Sequence, residues 1–284
     1  MSILFPEIQQ LSDFDIIKDK DALIVDICYS LNKFSKKILD GEDGNSCFAI
    51  PIDDAPIIGL FNKIRIMFLR STEAFERKEP DSIVIFQRIL YEAIFKMLFL
   101  IDNPEQKRVY RAIGFKATLQ TLREIGTDNP ITKVLEYKFN RGIKEDGLNI
   151  DEIDQAPYKL CGVSIRNLMS RYISNKAYAP LYSMPSDSIH SGWNEIRQFY
   201  LFYDEDSNQY VCDSDYSVSI DYRYIAQLAA LFYDALTAFL TFIENLGFVL
   251  TDTFNIILSD IKRVIDICGD YTIKRYDNNP ESCY

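Results

Sequence analysis

The stretch at residues 81–103, DSIVIFQRILYEAIFKMLFLIDN, decides the fold. It is built almost wholly of strong helix formers and large apolar groups, so as a helix it needs other protein on every face but one. The exception is a narrow polar stripe: Arg88, Glu92 and Lys96 recur every fourth residue and stand one above another on the same side. At about 100° per residue, Ile85, Phe95 and Phe99 project into the same sector. A solvated face does not usually carry two phenylalanines and an isoleucine. The stripe is therefore expected to be half-buried, with Arg88 and Glu92 paired across a bundle.

Helical periodicity extends outward on both sides. Upstream, residues 19–39 place Leu23, Ile27, Leu31, Phe34 and Ile38 on one face and stop at Asp40-Gly41, and residues 54–78 follow with Pro56 in the first turn. Downstream, helices are expected at 104–126, ending at Gly126, at 128–144, at 163–175, at 221–245 and at 251–268. Residues 147–157 read as a connector with one short helical turn. The period breaks at 198–218, where YLFY and QYVC flank the acidic loop Asp204-Glu205-Asp206-Ser207-Asn208. The expected fold class is all-α, a multi-helix bundle of about seven to nine helices with a small extended or β-hairpin insert near 198–218. It divides into an N-terminal helical segment at 1–50, a main bundle at 51–269 and a polar C-terminal tail at 270–284.

Composition bounds the function. A chain of 284 residues with 48% hydrophobic and 13% aromatic side chains has ample material for a core, and only 11 Gly and 10 Pro argue against a turn-rich sandwich or barrel. The net charge of −11 disfavours nonspecific binding of DNA through phosphate contacts. The most basic face, Lys133, Lys138, Arg141 and Lys144, is diluted by Glu136 and Glu145 and reads as solvated. Six cysteines without a Cys-x-x-Cys pair fit reduced thiols, and the N-terminal residues lack the pattern of a secretory signal, so the cytoplasm is the expected compartment. The apolar run at 224–243 has the length of a membrane span, but Gln227 and Asp234 interrupt it and Glu244 follows, which favours a buried core helix over a membrane segment. No cofactor or metal is expected. Asp204-x-Asp206-x-Asn208 echoes a calcium loop, yet Gln209 replaces the needed glycine and Asp215 the bidentate glutamate. Gly-rich phosphate loops, His-Glu-x-x-His and Gly-x-Ser-x-Gly are absent from the sequence.

One segment concentrates chemistry. Tyr178, Tyr182, Ser186 and His190 are each four apart, so a continuous helix would line up three hydroxyls and the single imidazole of the chain. Pro185 requires a kink or a fresh start there, with Ser183 as a cap. An adjacent carboxylate such as Glu92 would set the tautomer of His190. The competing reading makes Arg88, Glu92, Tyr182 and His190 a buried polar network that holds helix register.

Arg-x-x-x-Glu on a core helix (Arg88, Glu92), the following Asn103-Pro104, and Tyr-x-x-x-Tyr-Ser ahead of a histidine (Tyr178, Tyr182, Ser183, His190) together resemble a family of bacterial helical proteins known mainly as a domain of unknown function. The resemblance covers roughly residues 82–192. Such bundles are similar in general shape to the higher eukaryote and prokaryote nucleotide-binding (HEPN) domains, many of them metal-independent ribonucleases of phage-defence and toxin–antitoxin systems. The resemblance implies a dimer with polar residues in an RNA-cleaving cleft. The chain departs from that pattern. HEPN ribonucleases place an Arg and, a few residues on, a His on one helix, whereas Arg166-Asn167-Leu168-Met169-Ser170-Arg171 ends in Arg171 where the His would stand. The leading expectation is a non-enzymatic interaction or regulatory component with a protein partner or a second copy of itself. The alternatives are a ribonuclease using His190, Arg88, Glu92 and Tyr182, and a sensor holding a small anion such as a nucleotide on Arg88, Arg166, Arg171 and Tyr178.

Overall fold

A computed structural model of the chain describes residues 10–41, 50–126, 130–160, 163–174, 176, 178–183, 193, 196–197, 201–212 and 222–278. The stretch that decides the fold is helix α4, Pro80–Asp102, preceded by α1 (Leu11–Ile16), α2 (Lys20–Asp40) and α3 (Ala55–Glu76). After it come α5 (Gln106–Ile125), α6 (Pro130–Glu145), α7 (Ile150–Gln155) and α8 (Ile165–Tyr172). A π-helical turn, Ala179–Ser183, precedes an antiparallel hairpin of β1 (Leu201–Asp204) and β2 (Gln209–Cys212), and α9 (Tyr222–Asn245) and α10 (Asp252–Asn278) follow. The fold is thus all-α with a small hairpin insert, as its periodicity predicts.

Local chemistry sets most boundaries. Asp19 caps α2 by accepting from the Ala22 N–H, Ser164 caps α8 by accepting from Asn167, and Asn149 with Glu152 closes a capping box on α7. Gly126 ends α5 at φ +76°, a conformation that costs side-chain-bearing residues energy. In the hairpin, Asn208 takes the left-handed position at φ +54°, and Asp204 accepts from the Asp206 N–H across the turn. The residues that echo a calcium loop therefore build the turn.

Two ends differ from the sequence reading. Short α1 is too brief to show a helical period, and it packs on α10. Residues 270–278, expected as polar tail, continue α10, because Tyr271 sets its ring 4.9 Å from that of Phe14, edge-on, and 6.3 Å from that of Tyr222. Residues 279–284 lie outside the described residues.

The contacts group the chain into two compact units, a division that helical period does not reveal. The first gathers residues 1–48, 61–94 and 176–284. Here α9 packs against α2 and α10, and a ladder of stacked rings joins α3 to α9: Phe61 on Phe239 at 3.8 Å and Phe68 on Phe232 at 4.2 Å. Among the described residues α9 is the one helix long and apolar enough to cross a membrane, and 61% of its most apolar window is buried within the protein. Cys28 and Cys268 lie in this core as free thiols, and burial pushes both pKa values up, that of Cys268 to about 12.

The second unit gathers residues 49–60 and 95–175. Ala112 and Leu119 of α5 meet Phe139 of α6, Leu148, and Ile153 of α7 in its core. Two ion pairs fasten the start of α3 to α5: Lys107 Nζ to Asp54 at 2.6 Å, and Arg111 Nη2 to Asp53 at 2.8 Å. Gly142 lets α6 approach α5 closely, since a Cβ there would sit 2.8 Å from the Phe115 ring.

Candidate functional site

The polar stripe of α4 is half-buried, as expected: Arg88, Glu92 and Lys96 are each neither buried nor exposed. Phe95 and Phe99 in the same sector are buried, while Ile85 is partly exposed. In the first unit Arg88 finds its partner 94 residues away. Its Nη2 donates to Tyr182 Oη at 3.3 Å, and its guanidinium carbon lies 4.9 Å from the centre of the Tyr182 ring. Tyr178 stands beside this pair, its ring 5.5 Å from that of Tyr182. Burial raises the Tyr182 phenol above its ordinary range, and the charge of Glu92 pushes the same way while Arg88 opposes it. The phenol is therefore held protonated. Arg88 Nε is buried and has no hydrogen-bond partner among the described residues.

The turn carrying Tyr178 and Tyr182 is irregular for a covalent reason. Pro180 has no N–H to give to the α-helical ladder, and Ala179–Ser183 widens into a π-helical turn. His190, Ser186 and Pro185 lie outside the described residues. Of the candidate catalytic set, Arg88, Glu92 and Tyr182 come together, with Tyr178 from the candidate ligand set added to them.

Arg166 and Arg171 belong to the second unit, on α8. Arg171 Nη2 lies 3.2 Å from Asp102 Oδ2, the same oxygen that accepts the Tyr172 hydroxyl at 2.7 Å. Burial and then this hydrogen bond push the Tyr172 phenol up. Arg171 therefore braces α8 against the end of α4. Arg166 is exposed.

Two features were not legible from sequence patterns. One is a cavity of about 420 Å³ in the second unit, where Lys96, Tyr110, Arg111 and Asp146 are the polar groups of the lining. The other is an aromatic surface on the hairpin, where Tyr203 stands opposite Tyr210 in register and Trp193 meets Tyr210 edge-on with 5.6 Å between centroids. The single tryptophan of the chain was the available signal for the second. For the first there was none, since its lining comes from four stretches of sequence. Among the described residues no group of three or more His, Cys, Asp or Glu side chains is placed to hold a metal ion.

No curated protein and no solved structure matches the chain. A family model does match over residues 54–210, a span that holds α4, the Arg88–Tyr182 contact and nearly all of the hairpin. By that match the chain belongs to the family of unknown function DUF5677.

Proposed function

We propose that this chain is a non-enzymatic interaction or regulatory component that docks a basic partner protein on the aromatic face of its hairpin. The observation that carries the reading is exposure: Tyr203 and Tyr210, paired across the two-stranded ribbon, are 43% exposed each, and Trp193, edge-on to Tyr210, is 58% exposed. Tyrosine and tryptophan are the residues that dominate binding hot spots, and clustered exposed aromatics mark interaction surfaces. The adjoining turn is acidic, with Asp204, Glu205 and Asp206, and Ser207 holds the Asp204 carboxyl below its usual range, so it stays ionised. With a net charge of −11, the chain favours a partner with basic and apolar side chains over an acidic one. The cytoplasm, and membership of a bacterial phage-defence or toxin–antitoxin system, are part of this proposal.

Because Trp193 is the only tryptophan, its emission reports on this surface alone. Titration with an amphipathic lysine- and leucine-rich 16-residue peptide is expected to shift that emission to the blue. The response should weaken with salt and disappear in Tyr203→Ala/Tyr210→Ala. An unchanged emission spectrum, with light scattering showing a monomer, counts against the reading.

A second reading is kept for one observation: the buried Arg88 Nε, without a hydrogen-bond partner among the described residues, on the guanidinium that meets Tyr182. A HEPN-like ribonuclease would use such an arginine to stabilise a developing phosphorane, with His190 moving protons. RNA fragmentation in cells expressing the wild type, abolished in a folded His190→Ala variant, would put this reading first.

A further inference from the structure

The cavity of the second unit is lined by residues that the partner-docking reading does not use. Its volume of about 420 Å³ falls in the range of small-molecule sites, roughly 300–1,000 Å³. The apolar part of its lining is Ala55 and Pro56 at the start of α3 with Ile113 and Gly114 on α5. The rest of the lining is two cationic groups, a phenol and a carboxylate: Lys96, Arg111, Tyr110 and Asp146. Such a lining, apolar surface with a few polar groups, characterises small-molecule sites in which the polar groups fix the ligand's orientation.

Arg111 is the best defined of these groups. Its side chain is only 6% exposed, held by Nη1 on the Ile52 carbonyl at 3.1 Å and by Nη2 on Asp53. The Nε of the same guanidinium is buried and has no hydrogen-bond partner among the described residues. A guanidinium carries five N–H donors and the bonds to Ile52 and Asp53 use only two of them, so a ligand oxygen in the cavity would be a further acceptor for the group. Arginine and lysine together suit a carboxylate or a phosphate, the first as a fork and the second as a point charge. Asp146 adds an acceptor for an amino or hydroxyl group on the same molecule.

We infer that this cavity binds a small organic anion: a phosphate or carboxylate held by Lys96 and Arg111, joined to a flat apolar body that lies on Pro56 and Ile113. A nucleoside monophosphate and an aromatic carboxylate share this chemistry. The proposal assigns the chain a ligand site on a unit different from the one that carries the hairpin. It stands or falls independently of the partner-docking reading, because Trp193 does not line the cavity.

The test is thermal unfolding of the full chain with AMP, phenyl phosphate, benzoate or inorganic phosphate. A probe at ten times its Kd is expected to raise Tm by about 2–4 °C. AMP and phenyl phosphate acting without benzoate would identify a phosphorylated ligand, and benzoate acting as well would widen the class to carboxylates; both support the site. Gly114→Leu is the decisive variant. A Cβ at Gly114 meets nothing within 4 Å, and glycine is a poor helix former, so the variant folds while its side chain fills the cavity. It should abolish the shift while leaving the ligand-free Tm equal or higher. Lys96→Gln should weaken binding at least about tenfold, and Lys96→Arg should restore most of it. The inference is overturned if no organic probe moves the wild-type Tm, if Gly114→Leu responds like the wild type, or if inorganic phosphate alone produces the whole shift.

Discussion

The contact between Arg88 and Tyr182 can be taken apart by two substitutions that remove different amounts of it. Tyr182→Phe deletes the hydroxyl that accepts from Arg88 Nη2 but leaves the ring under the guanidinium. At 3.3 Å this hydrogen bond is long, so its loss should cost about 0.5 kcal/mol, the low end for such bonds. Tyr182→Leu removes the ring as well. A guanidinium 4.9 Å from a ring centre at a half-buried site contributes about 1 kcal/mol, which brings the total to about 1.5 kcal/mol. Urea unfolding followed by Trp193 emission, which reports on the same unit, should show the leucine variant's midpoint about 0.5 M lower for a slope near 3 kcal/mol/M. Arg88→Met in both backgrounds completes two double-mutant cycles, with an expected coupling of about 0.5 kcal/mol against Tyr182→Phe and about 1.5 kcal/mol against Tyr182→Leu. Equal losses for the phenylalanine and leucine variants, or a coupling below about 0.3 kcal/mol, would refute the claim that this pair holds the π-helical turn to α4.

Lys107→Met should destabilise by about 3–5 kcal/mol, because it leaves Asp54 charged at a site where the two side chains are only 10% and 13% exposed; a loss below 1 kcal/mol by calorimetry would refute this. Two helical glycines of the second unit should behave oppositely on change to alanine: Gly114→Ala should stabilise by up to about 1 kcal/mol, whereas Gly142→Ala should give a net loss of up to about 2 kcal/mol as its Cβ displaces the Phe115 ring. Burial raises the Tyr91 phenol to about 12 from an ordinary value of 10, so the folded state favours the protonated form. Stability from this group is complete below pH 10 and is lost as pH rises from 10 through 12, by about 2–3 kcal/mol. Tyr91→Phe should flatten that alkaline decline in urea midpoints, and parallel curves would contradict it. Alkylation with iodoacetamide at pH 8, read by peptide mass, should modify exposed Cys212 long before Cys28 or Cys268, whose thiols are buried and held protonated.

The candidate site divides along the line between stripe and partner. That Arg88 and Glu92 share one face of α4 follows from a four-residue spacing, and that the face is half-buried follows from Phe95 and Phe99 beside them. Neither spacing nor composition says that Arg88 meets Tyr182 and that Arg171 instead meets Asp102. Both choices depend on which helix ends come together, and Arg171 is consumed by a brace that its sequence neighbours do not announce.

The sequence by itself determined where the helices run, because apolar period, caps and stops act within about four residues: Gly126 ends α5, Ser164 starts α8, and the acidic loop with Asn208 turns the hairpin. It determined the all-α class for the same reason. Tertiary structure alone decided the grouping of the chain into two units, the extension of α10 by the ring of Tyr271, and the exposed meeting of Trp193, Tyr203 and Tyr210. It alone gathered Lys96, Tyr110, Arg111 and Asp146 around one cavity. These depend on contacts between residues far apart in the chain, whose side chains become neighbours only when apolar faces are buried against one another, and no local period records that choice.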